Sequence, residues 1–220
     1  MNVTFEIVKN SPEIRTYITQ ADVSLTALGF TEHSFAHVTK CAEVAAHILT
    51  QLGYSSKEVE LAKIAAFMHD IGNVVNRHDH AISGATMAFR ILDKMGMEPA
   101  DVAAVITAIG HHDDSTAFPV NAVAAALILA DKTDVRRSRV RNKDMATFDI
   151  HDRVNYSVER SEVLLDVPGR TVTLSLSINT QVCAVMDYFE IFLQRMLLCR
   201  RAAEALELKF RLEINGQILL

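Results

Sequence analysis

From Phe35 to about residue 136, apolar residues recur three and four positions apart through five successive segments. Packed amphipathic helices are the arrangement that buries such a pattern. The first segment runs from Phe35 to Leu52 on Val38, Cys41, Ala42, Ala45, Ile48, Leu49 and Leu52, and stops at Gly53. The second begins at Ser55, where Ser55 and Glu58 have capping-box spacing, and continues through Leu61, Ala65, Met68 and His69 to Gly72. A polar loop, NVVNRHD, leads to the third, from about Ala81 to Met95. Pro99 opens the fourth, on Val102, Val105, Ile106 and Ile109; after a break at HHDDSTAF, Pro119 opens the fifth, through Val123, Leu127, Ala130 and Asp131. Ahead of these lie a short extended or helical lead, Val3 to Val8, and a helix from Ser11 or Pro12 to Leu28, closed by Gly29.

Beyond residue 136 the texture changes. The stretch KTDVRRSRVRNK, 132–143, has six basic side chains and one acidic one. Glu162 to Val167 and Arg170 to Ile178 read as two strands around Pro168-Gly169, because TVTLSLSI alternates with period two. A long helix from about Thr180 to Glu207 follows, with Val182, Val185, Met186, Phe189, Phe192, Leu193, Met196 and Leu197 on its stripe. Phe210 to Leu219 reads as a last strand or a tight hairpin turning at Asn215-Gly216. The chain is therefore expected to be mainly α: a helical domain over 1–150, then a small α+β domain over 151–220 with hairpin, long helix and terminal strand. So small a unit does not cover all of its own apolar surface, which predicts a homodimer.

At 220 residues there is room for one main domain and an appendage, not for three domains. Half of the residues are apolar and 22% are charged, which excludes disordered and collagen-like classes. The 22 basic and 27 acidic groups leave a charge of -5, so the net field draws neither nucleic acid nor anionic lipid. Cys41, Cys183 and Cys199 are far apart and have no CxxC spacing, as expected for reduced core thiols. The N-terminus has no apolar signal segment, and the longest apolar run, Ala122 to Ala130, is too short to span a membrane; a cytoplasmic location is expected.

Chemistry must be sought among the histidines and aspartates. His-Asp occurs four times, at 69–70, 78–79, 112–113 and 151–152, so position within a helix must select among the pairs. His69-Asp70 ends the apolar helix LAKIAAFMHDIG, where both side chains enter a dry interior. There, either a divalent metal satisfies them or each finds a neighbouring helix to bond or cap. His37, four residues before Cys41, shares the inward stripe of its helix, as does Asp131, four after Leu127. Inward polar groups on three separate helices suit a metal site in a bundle core. Two N and two O donors suit Mn, Fe, Ni, Co, Zn or, less well, Mg. His80 starts the next helix and His111-His112 end another, with His112 on stripe phase; these offer a second ion site, or else one of the pair packs and the other faces water. Asp79 and Asp152 lie off these inward stripes and are expected outside the site.

The ordered set His37, His69-Asp70 and Asp131, with HDIG inside AAFMHDIGN, resembles the signature of the HD-domain metal-dependent phosphohydrolases over about residues 30–136. The resemblance implies an HD-type helical bundle that hydrolyses a phosphate ester, phosphodiester or nucleotide through water activated by one or two divalent ions. It implies His37, His69, Asp70 and Asp131 as ligands of the first ion, with Asp70 shared by a second. HAISG at 80–84 and GHH at 110–112 are similar to subfamilies with added histidines. Two departures stand out: the GYP motif of the cyclic-dinucleotide branch is absent, and Asn73 replaces a phosphate-binding lysine, leaving Arg77 as the nearest cation. Lys132, Arg136 and Arg137 follow Asp131 and would bring positive charge to the mouth of the site, unless the basic run is a solvated linker or a partner contact. Asp70, Arg77 and Lys132 are thus the catalytic candidates. The expected substrate is a small phosphorylated molecule or nucleotide, with no membrane and no strong sign of nucleic acid. A non-catalytic metal-binding regulatory module and a di-iron oxygenase remain the alternatives.

Overall fold

In the computed structural model the described residues are 3–113 and 117–219; positions 114–116 of the HHDDSTAF break lie outside them. Seven helices account for residues up to 132: α1 (Phe5–Asn10), α2 (Pro12–Ala27), α3 (Phe35–Gln51), α4 (Ser56–Met68), α5 (His80–Lys94), α6 (Pro99–Gly110) and α7 (Ala122–Lys132). The capping box of α4 is complete, with Ser55 Oγ accepting from Glu58 N and the Glu58 carboxylate accepting from Ser55 N. The α7 helix begins three residues later than Pro119 suggests, because Asn121 accepts from Ala124 N and caps it at 2.8 Å. Helix α3 packs between α4 and α7, while α5 packs on α6 and on the turn Ile71–Val74.

Beyond two short 3-10 turns, Arg137–Arg139 and Met145–Thr147, come α8 (Ile150–Ser157), β1 (Val158–Asp166), β2 (Thr171–Ile178), α9 (Val185–Ala205), β3 (Lys209–Ile214) and β4 (Gln217–Ile218). The sheet order is β1-β2-β3-β4; β1/β2 and β3/β4 are antiparallel, and β2/β3 is parallel with α9 as the crossover. The alternation read in TVTLSLSI buries Val172, Leu174, Leu176 and Ile178. The terminal segment is the hairpin alternative, with positive φ at both Asn215 and Gly216. Helix α9 starts at Val185, not Thr180, since the Asn179 side chain takes up Gln181 N in a turn. Helix α9 packs on both α7 and β3 and so joins sheet to bundle. Cys41, Cys183 and Cys199 are buried and form no disulfide among the described residues. Among the described residues no helix is long and apolar enough to cross a membrane.

Candidate metal centre

His69 caps the C-terminus of α4 and Asp70 begins the turn that follows. The turn lies hard against the start of α5: a Cβ on Gly72 would stand 2.0 Å from His80 O and 2.5 Å from Gly84 N. A Cβ on Gly84 would meet His69 O at 3.2 Å. The glycines of HDIG and HAISG are therefore what allow the His-Asp turn and His80 to approach each other.

His37, His69, Asp70 and Asp131 converge. His37 Nε2 lies 3.3 Å from Asp131 Oδ1 and 3.7 Å from Asp70 Oδ2, and His69 Nε2 lies 3.1 Å from Asp70 Oδ2 and 3.8 Å from Asp131 Oδ1. The other Asp70 oxygen, Oδ1, points to His80 Nε2 at 3.6 Å, which in turn is 3.2 Å from His112 Nε2. Asp70 thus stands between two donor groups, either able to hold an ion: one with His37 and His69, one with His80 and His112. His111 is not brought in. It sits on the C-cap of α6 with its ring turned back, Nδ1 donating to Thr107 O at 2.9 Å.

Tautomers follow from the partners. His69 Nδ1 donates to Ala66 O, His80 Nδ1 to Arg77 O, His112 Nδ1 to Ile109 O and His37 Nδ1 to the Asp134 carboxylate, at 2.6–3.0 Å. Because each acceptor is an oxygen that cannot donate, the proton is on Nδ1 and Nε2 is left with a lone pair facing inward. His69 Nε2 and Asp70 Oδ2 are buried without a hydrogen-bond partner. Such orphaned donors are costly unless a cation meets them, and a divalent ion fits this set. Burial alone would raise the Asp70 carboxyl, but the His69 imidazole outweighs it and holds the group well below the usual carboxylate range. Burial would likewise lower His69, yet the Asp70 carboxylate raises it, so a proton and a metal compete for the same Nε2. Burial lowers His112, to about 3, and also lowers His80, which favours the neutral ring at both. Cys41, under His37, stays a thiol because burial pushes it up.

A cavity of about 250 Å³ opens on this cluster. Of the cationic candidates, Arg77 and Lys132 line it. Arg77 Nη1 bonds Asn73 Oδ1 at 3.2 Å, and Lys132 Nζ lies 2.8 Å from Asp131 Oδ2. Arg136 and Arg137 do not reach it: Arg136 pairs with Asp134 and Glu32, and Arg137 bonds Tyr156 O. Asp152, left outside by the stripe argument, lines the cavity from α8; Asp79 is exposed in the turn before α5.

Two residues escaped the sequence reading. Asp134 is fully buried and orients His37, with Lys40 at 2.9 Å and Arg136 also bonded to it. The only available signal was its place three residues after Asp131. His33 lines the cavity beside His37, Nδ1 donating to Thr31 O, but it lies ahead of α3 where no helical stripe exists to mark it.

Residues 34–190 match the HD domain family model. The chain is similar to ribonuclease Y of Chloroflexus aurantiacus, 29% identical over 185 residues that cover 83% of this chain and 33% of that protein. It is also similar to an uncharacterized protein of Methanocaldococcus jannaschii, 26% identical over 181 residues, 72% of this chain and 69% of that one. The chain thus spans about a third of the first relative and more than two thirds of the second. With the helical bundle, the His-Asp turn and a match over most of its length, the chain belongs to the HD-domain family of metal-dependent phosphohydrolases.

Proposed function

We propose that the chain hydrolyses a small phosphorylated molecule with water activated by one or two divalent ions. The observation that carries this is the pair of buried, unpartnered atoms His69 Nε2 and Asp70 Oδ2 at a cavity whose wall also bears Arg77 and Lys132. His37, His69, Asp70 and Asp131 hold the first ion; Asp70, His80 and His112 take a second, and His111 drops out. A divalent ion so held lowers the pKa of bound water and polarises a phosphoryl oxygen. Asp70 serves both donor groups, and Asn73 fixes its Oδ1 at 2.9 Å. Arg77 and Lys132, anchored by Asn73 and Asp131, neutralise charge growing on the phosphoryl oxygens. The name of the Chloroflexus relative implies RNA as its substrate. Here a cavity of about 250 Å³ is small among ligand pockets and favours a small molecule.

Cytoplasmic residence, supported by three cysteines without a disulfide among the described residues, and pairing of two copies, supported by the exposed Leu164 and Ile218 on the sheet, complete the proposal. The test is elemental analysis of protein purified without added metal, then turnover of an aryl phosphate with Mn or Ni supplied. Substoichiometric metal and no turnover with any supplied ion would sink the hydrolase reading. A di-iron charge-transfer band with oxidative cleavage would replace it by the oxygenase. Light scattering that gives the mass of one chain would remove the dimer.

A further inference from the structure

One wall of the cavity belongs to a helix that contributes nothing to the donor cluster. Asp149, the N-cap of α8, and Asp152 and Asn155 within it follow at three-residue spacing and line the same cavity as Asp70 and His80. Asn155 is only 7% exposed; its Nδ2 donates to His151 O, and its Oδ1 has no partner among the described residues. Asp149 uses Oδ1 to accept from Asp152 N, and Asp152 uses Oδ2 to accept from Asn142, so each carboxylate retains an oxygen for a ligand. This row offers acceptors, which match hydroxyl donors, while Arg139, His151 and Arg195 line the same cavity beside it. The aromatic rings of Phe30 and Phe192 bound the same space, and its small volume excludes a polymer passing through.

We infer that α8 is the recognition wall for the leaving group, and that the site takes a phosphomonoester whose organic part carries hydroxyl donors, as a pentose does. The inference rests on the hydrolase reading for the place of the phosphate at the donor cluster. One phosphate at the donor cluster and hydroxyls at α8 make a phosphomonoester a better fit than a polyphosphate.

Binding calorimetry on the metal-loaded full chain tests it, with ribose 5-phosphate, inorganic phosphate and tripolyphosphate as probes. Ribose 5-phosphate should bind about tenfold tighter than inorganic phosphate, the worth of one or two added hydrogen bonds. Asn155→Ala and Asp152→Asn should each shrink that ratio about three- to tenfold, with bound metal and melting temperature followed to show that each variant is folded. Equal affinities in the unaltered chain, a ratio preserved in both variants, or tighter binding of tripolyphosphate would overturn the inference. Ribose 5-phosphate bound with this selectivity but never hydrolysed upholds the wall and removes the hydrolase reading; aryl phosphate turnover with no ratio to lose does the reverse.

Discussion

Five imidazoles, those of His33, His37, His69, His80 and His112, gather around the cluster with their Nδ1 hydrogens already committed to oxygens. Each ring is therefore held in one tautomer before any ion arrives. Asp70→Ala removes the carboxylate shared by both donor groups, and hydrolysis should fall at least about 10³-fold as bound metal is lost. Asp79→Ala, on an exposed side chain, should leave turnover and metal content unaltered, whereas Asp152 lines the cavity and offers no such control. Asp134→Asn keeps the shape but removes the charge behind His37, so metal affinity measured by competition with a chelator should drop about 10- to 100-fold. The four proposed donors were legible from sequence because polar residues on the apolar stripes of separate helices must find partners in one shared core. Asp134 was not, because a lone acid in a basic run looks like surface until tertiary contacts show it buried among Lys40, Arg136 and Arg139.

Helices with their own end signals were read almost to the residue, as the Ser55–Glu58 capping box and the Pro99 start illustrate. Helix α8 was not, since DIHDRVNYS has only Val154 as a fully buried apolar side chain and too few residues to show a period. Its place is set by tertiary contacts with α9 and β1 instead. Glycine substitutions separate two kinds of helix contact. Gly72→Ala drives a methyl into the backbone of α5 and should cost at least about 1–3 kcal/mol in urea unfolding, with loss of bound metal, because His80 must move. In Gly110→Ala the new methyl meets only Ala85 Cβ at 3.7 Å, so the helix should gain about 0.5–1 kcal/mol and metal content should hold.

Across the molecule, the basic run 132–143 is neither a solvated face nor a simple mouth to the site. Arg139, 5% exposed, donates to Glu32 O and Asp134 O, and Arg141 pairs with Asp22, so these cations fasten the segment before α3 to the end of α7. Arg139→Ala leaves the Glu32 and Asp134 carbonyl oxygens without their guanidinium donor, while the Asp134 carboxylate keeps His37, Lys40 and Arg136, and should lower stability by about 1–3 kcal/mol, read as a lower thermal midpoint. A pattern of charge along a chain shows an excess but not its destination, which is why this role was invisible beforehand. The order of the donors along the chain has a consequence for biogenesis. The side chains that face the proposed ions lie between His37 and Asp131, whereas the α8 and α9 residues that wall them in come later, and β3 joins its parallel neighbour only after α9 has crossed over. A chain emerging from the ribosome therefore completes an open bowl before it owns a cover. The nascent protein should take up the proposed ions fastest, and the finished one should release them slowly to a chelator.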